Sequence, residues 1–181
     1  MSNYSLTNYG FCQSLSSTPA KRLNKINWLS THVKHQNDLL HSTTDTILIG
    51  DSIAAGLSRF NDVWFKFFDK VLNFGIGGDR TQHVLWRLER LTIPESINTA
   101  IVHCGTNNVL KDRPSNIINS IICIAMMLKK KQPSIHVILT GLFPRDNKFS
   151  RYRQIIPLIN DGLQNITSQI DFVSFLKPGD D

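Results

Sequence analysis

The chain has 181 residues, 41% of them hydrophobic and 19% charged, and carries a formal net charge of +6. That length suits one domain with a sizeable core, and the balance is that of an ordinary soluble globular protein. No apolar stretch approaches a membrane span, and the N-terminus lacks the basic-then-apolar order of a secretion signal.

Residues 1–27 are rich in Ser, Asn and Thr without clear periodicity and are expected to form a flexible tail, leaving 28–181 as the folded domain. Trp28, Leu29, Val33, Leu39 and Leu40 then fall loosely at helical spacing. Residues 46–49 are a short apolar run that stops at "GDS", and the stretch behind it is helix-like, then aromatic-rich. "KVLNFGIGG" (70–78) is a second apolar run meeting glycines, and Val84, Leu85, Leu88 and Leu91 share one helical face after it. "TAIVHCGTNN" (99–108) reads as a third strand and its exit. Residues 114–131 open on Pro-Ser, carry apolar residues at 117, 118, 121, 122, 125 and 128, and close on three lysines, the start and stop signals of a helix. "IHVILTGLFP" (135–144) is a fourth apolar run. The helical pattern of 152–166 contains Pro157, expected to kink or reset it, and "IDFVSFL" (170–176) is the fifth run.

Apolar runs alternating with helical patterns predict a parallel sheet covered on both faces, an α/β fold built as a three-layer α/β/α sandwich. The lysines at 129–131 suit the last turn of a helix, where the dipole favours cations. No aromatic residues interleave with them, so no nucleic-acid partner is expected. Three cysteines cannot all pair, and no metal-ligand spacing links them. Cys104 and Cys123 sit in apolar runs and are expected as buried thiols of a reducing, cytoplasmic compartment.

In open parallel sheets, ligands bind beyond the carboxyl ends of the strands. The residues there are "GDS" (50–52), "GIGGDR" (75–80), "GTNN" (105–108) and "GLFPRD" (141–146). Singly these are turn chemistry; at successive strand ends they suit an ester hydrolase, which needs a nucleophile, donors for a developing oxyanion, and a base. Ser52 is the candidate nucleophile, at a helix start whose free N–H groups favour an anion. Gly78 can bring a backbone N–H close without a Cβ in the way, and Asn107 brings a side-chain amide donor. "GIGGDR" has neither dinucleotide nor P-loop spacing, so a nucleotide-binding role is poorly supported.

"GDSI", "NFGIGGDRTQHVLWRL" and "HCGTNN" resemble the first three sequence blocks of the GDSL/SGNH hydrolases, and more narrowly the catalytic subunits of intracellular platelet-activating-factor acetylhydrolase. The resemblance runs from about Trp28 to the fifth strand. It implies a five-stranded parallel sheet of flavodoxin-like topology and no metal or organic cofactor. It gives Ser52 as nucleophile and Gly78 and Asn107 as completing the oxyanion hole. The implied substrate is a small acyl ester with a short acyl group, acetyl on a lipid or a sugar, and a homo- or hetero-dimer is compatible with it.

The family's fourth block, an Asp-x-x-His that supplies the general base and its orienting partner, has no counterpart after the fifth strand. The base, its aspartate and the closing helix are therefore expected to be missing from this chain, which reads as a fragment with impaired activity. None of the six histidines is assigned as a substitute. The alternative is a catalytically dead module that kept the fold for binding, in the manner of esterase-like domains of some retrotransposon reading frames.

Overall fold

Five short parallel strands organise the chain in the order β2-β1-β3-β4-β5. They are β1 (Thr46–Gly50), β2 (Val71–Gly75), β3 (Thr99–His103), β4 (His136–Thr140) and β5 (Val173–Leu176). The helices are α1 (Trp28–Leu40), α2 (Ser52–Leu57), α3 (Asn61–Phe67), α4 (Thr81–Arg90), α5 (Pro114–Lys131) and α6 (Arg151–Thr167). This computed structural model describes residues 14–23, 26–68, 70–147 and 149–179. The chain steps from β1 to β2 on one side and then returns past β1 to β3, so the topological switch point lies at β1.

Local sequence explains most elements. α5 starts with Pro114 in its first turn and buries Ile117, Ile118, Ile121, Ile122, Ala125 and Leu128, the predicted stripe. Its final lysines are tied to backbone: Lys129 Nζ donates to Ile135 O, and Lys131 Nζ to Glu89 O and Leu91 O. Those contacts tie two of the three lysines to helix and loop ends. α6 runs through Pro157 without a break, unlike the expected reset. Among the described residues no helix is long and apolar enough to cross a membrane.

The two faces of the sheet are unequal. Ile47 and Ile49 of β1, Phe74 of β2, Ala100 and Val102 of β3, Val137 and Leu139 of β4 and Val173 of β5 join one core with residues of α1, α4, α5 and α6. The opposite face carries Leu48, Ile101 and Ile138 in register across β1, β3 and β4. Leu48 is buried, and α2 packs on β1 and β2. Ile101 and Ile138 are only half-buried, and Leu176 is 59% exposed. The helical cover on this side lies on β1 and β2, which agrees with a sandwich whose closing helix is expected to be missing.

Part of the expected tail is structured. A 3-10 turn (Leu15–Ser17) buries Ser16 and Ser17 against α4 and α5. Thr81 Oγ1 donates to Ser16 O at 2.9 Å, and the Ala20 N–H donates to Gln82 O at 3.0 Å. These bonds use side chains and backbone with no apolar period, so a hydrophobic pattern cannot reveal them. Residues 1–13 lie outside the described set. Cys104 is a free buried thiol, while Cys123 is disulfide-bonded, contrary to the expected thiol; the reducing-compartment argument loses that support.

Close backbone approach fixes two glycines. A Cβ on Gly50 would stand 2.1 Å from His103 O, and one on Gly75 2.2 Å from Ala55 N. Neither obstacle is a flexible side-chain tip. Gly75→Ala should destabilise the fold by at least about 1–3 kcal/mol, the usual cost of overpacking, read as a lower urea midpoint in equilibrium unfolding.

Candidate active site

The site begins with register. Gly50 pairs with Gly75 on one side and with His103 on the other, so three strands end in one row. Adjacent strands lie about 4.8 Å apart, which confines the starts of three loops to roughly 10 Å. Ser52 is the first residue of α2, two positions past the end of β1, and is exposed. Gly78 follows β2 by three residues and Asn107 follows β3 by four. Both are half-buried.

Hydrogen bonds join the three loops. The Asp51 N–H donates to His103 O at 3.3 Å, and the Ile76 N–H to Gly50 O at 3.0 Å. Asn107 Nδ2 donates to Asp79 O at 2.8 Å, which ties the third loop to the residue after Gly78. Next to it, the Thr81 N–H donates to Asn108 Oδ1 at 3.1 Å at the start of α4. Asn108 is fully buried and its Nδ2 donates to Gln82 Oε1 and Asp112 Oδ2. The two asparagines of "GTNN" thus divide the work: Asn108 holds the loop while Asn107 sits at the rim.

Gly78 has φ +78°, a left-handed conformation that favours glycine. Beneath it lies a buried carboxylate. Asp79 is completely buried; Arg87 Nε donates to its Oδ2 at 2.9 Å and Trp28 Nε1 to its Oδ1 at 2.7 Å. Arg87 also donates from Nη1 to Phe74 O and from Nη2 to Gly50 O, so one guanidinium binds the ends of β1 and β2 to the carboxylate. Arg22, from the structured part of the expected tail, donates from Nη1 to Gly77 O at 2.7 Å and stands 3.7 Å from Asp79 Oδ1. Sequence reading passed over Asp79, Arg87 and Trp28. The eight-residue step from Asp79 to Arg87 across the start of α4 was a usable signal; Arg22, one of three cations in a polar segment with Lys21 and Lys25, offered none.

Asp51 precedes the candidate nucleophile. It is fully buried, and its Oδ1 accepts the Ile53 N–H at 2.9 Å, capping α2. Burial pushes its carboxyl up to about 6, helped by the neighbouring Asp79 charge and opposed by the Ile53 N–H and Arg145. Burial also pushes the Cys104 thiol well up, which makes it an inert core group rather than a nucleophile.

Each histidine is engaged away from Ser52. His32 stacks on Trp28, His35 on Phe74, and His83 Nδ1 accepts the Arg80 N–H. His136 Nε2 pairs with Ser174 Oγ. His103 Nδ1 pairs with Thr140 Oγ1 at 2.6 Å, and Thr140 Oγ1 also donates to Val102 O at 3.3 Å. An Asp-x-x-His spacing does occur at Asp38–His41, which the sequence reading missed, but it spans the end of α1. That end leads into the start of β1, the sheet edge opposite the row of glycines, and His41 Nδ1 contacts Asn37 O.

No protein-family model matches the chain. It is 33% identical over 141 residues to the platelet-activating factor acetylhydrolase IB subunit alpha2 of Homo sapiens, covering 76% of this chain and 60% of that protein. It is 38% identical over 122 residues to the alpha1 subunit of Rattus norvegicus, covering 65% and 51%. The chain thus spans about half to three-fifths of these relatives. Among solved structures, a GDSL-like lipase from Bacteroides thetaiotaomicron superimposes with a TM-score of 0.68 at 19% identity, over 84% of this chain and 78% of that one.

Two outcomes follow from the electrostatics. Arg87→Met leaves the Asp79 charge buried without its main partner and should cost about 3–5 kcal/mol in chemical denaturation. Burial lowers His32, His35, His83 and His103 each to about 4, with nearby arginines adding to the shift for the first three. Unfolded histidines take up protons below about 6.5, so each favours the folded state at neutral pH and loses that contribution as pH falls towards 4. Asp51 acts oppositely, favouring the fold at acid pH and losing its contribution as pH rises from 3.8 to about 6. Burial raises the Asp79 carboxyl too, in the same sense as Asp51. Four histidines outweigh two aspartates, so urea midpoints should fall from pH 7 to pH 5, and more steeply in Asp51→Asn.

Proposed function

From the premise that this chain belongs to the GDSL/SGNH hydrolase family, we propose that it carries the acylation half of a serine esterase site for short-acyl, chiefly acetyl, esters. The observation that carries the reading is the common row of Gly50, Gly75 and His103, with Asn107 bonded to the carbonyl beside Gly78. In this reading Ser52 Oγ attacks the ester carbonyl carbon and gives up its proton to solvent water. The carbonyl oxygen gains negative charge, met by the Gly78 N–H and the second Nδ2 proton of Asn107. Collapse breaks the bond to the alkoxide, which leaves as the alcohol after taking a proton from water; the acyl-Ser52 ester is then cleaved by water to the acid and free Ser52. The relatives' acetylhydrolase names support an acetyl group, and their subunit names support a homo- or hetero-dimer. The alcohol half is a lipid or a sugar.

The proton on Ser52 Oγ is the weak point. Among the described residues no histidine is hydrogen-bonded to Ser52, and the unpartnered His103 Nε2 is buried, so this span reads as impaired as an esterase. A serine site without its base keeps about 10³- to 10⁴-fold acceleration over water, from oxyanion donors and binding. The same observation favours a second reading, a module that keeps the fold and binds acyl esters without turning them over.

Hydrolysis of p-nitrophenyl acetate, whose leaving group needs no protonation, separates the two. Slow turnover that falls in Ser52→Ala to the level set by oxyanion donors and binding alone, and falls about 10²- to 10³-fold in kcat in Asn107→Ala, is the expected result. Equal rates for wild type and Ser52→Ala would remove the esterase reading and leave the binding module.

A further inference from the structure

We propose that Arg22 is a positioning residue for the candidate oxyanion hole, holding the Gly77–Gly78 peptide so that the Gly78 N–H faces the reacting carbonyl. The inference rests on the esterase reading of the site and adds to it a segment outside the three sequence blocks.

A trans peptide is planar, with its C=O and N–H pointing opposite ways. Arg22 Nη1 grips Gly77 O at 2.7 Å, so the Gly78 N–H on the same peptide is turned away from the guanidinium. The next two peptides are held as well: the Asp79 N–H donates to Ile76 O at 3.1 Å, and Asp79 O, on the peptide after it, accepts from Asn107. Gly78 is therefore clamped on both sides. A Cβ at Gly78 would lie 2.8 Å from both Arg22 Nη atoms, so the guanidinium lies directly against this residue. Glycine at φ +78° is free to rotate in a way other residues are not, and an external hold has most value there.

The electrostatics point the same way. One buried carboxylate, Asp79, faces two guanidiniums, Arg87 at 2.9 Å and Arg22 at 3.7 Å. Arg87 is the nearer counterion, which leaves the Arg22 charge in excess beside a loop where negative charge develops. The Arg22 side chain is 26% exposed, and the hydrogen bonds of Ser16 and Ala20 to α4 deliver it to this point.

The test compares wild type, Arg22→Met, Arg22→Lys and Ser52→Ala as full chains, well below their melting temperatures. The first readout is the Gly78 amide in a ¹⁵N-glycine-labelled protein; the second is kcat and KM with p-nitrophenyl acetate. Arg22→Met should shift the Gly78 resonance, speed its hydrogen exchange and lower kcat about 10- to 100-fold with KM within about twofold. Arg22→Lys, which keeps a donor for Gly77 O, should recover most of the loss. An unmoved Gly78 resonance in Arg22→Met overturns the proposal. So does unchanged kcat in Arg22→Met when Ser52→Ala lowers turnover, and that result leaves the esterase reading standing. If Ser52→Ala turns over like wild type, the esterase reading fails and the catalytic part of this proposal falls with it.

Discussion

A carboxylate with no access to water governs the architecture around the strand ends. Asp79 must be matched by donors or it could not be charged where it sits, and Arg87, Trp28 and Arg22 converge on it from α4, α1 and the N-terminal segment. Because Arg87 also binds the carbonyls of Gly50 and Phe74, satisfying that charge simultaneously sets β1 and β2 relative to the loop holding Gly78. The geometry of the rim is thus a by-product of neutralising a buried ion. This explains why polar residues so far apart in the chain meet under a turn made of glycines.

Much of this was legible in advance. The α5 stripe, the five apolar runs and the rule that ligands gather past strand ends lead directly to the observed sheet and to the loops of Ser52, Gly78 and Asn107. Those signals work because helices and buried strands impose a period on apolar residues. The supporting shell obeys no period. Ser16, Ala20 and Arg22 bind through single polar contacts, which resemble any loop composition until the partner is known. The disulfide at Cys123 and the continuous passage of α6 through Pro157 escaped for a related reason: tertiary packing overrode a local expectation.

The histidines teach a separate lesson. Three of the six are buried and His83 is half-buried, all in aromatic, side-chain or backbone contacts, acting as shape-filling rings with one polar edge. Their number invites a search for a base, yet their environments suit structure. His103 is the instructive case, since its Nε2 is buried without a hydrogen-bond partner one residue from a glycine turn, while its ring leans on Phe143. Proximity along the chain to a candidate site is a poor guide when the ring's open nitrogen is buried.

The half-clad side of the sheet has a bearing on how this polypeptide behaves in bulk. Parallel strands are ordinarily sheltered from water on both sides, and here Ile101, Ile138 and Leu176 are not. Salts that are excluded from protein surfaces strengthen the drive to hide such groups. Ammonium sulfate should therefore bring molecules together through this bare stripe at concentrations that leave the interior untouched, so precipitation and unfolding would be separate events with separate salt dependences.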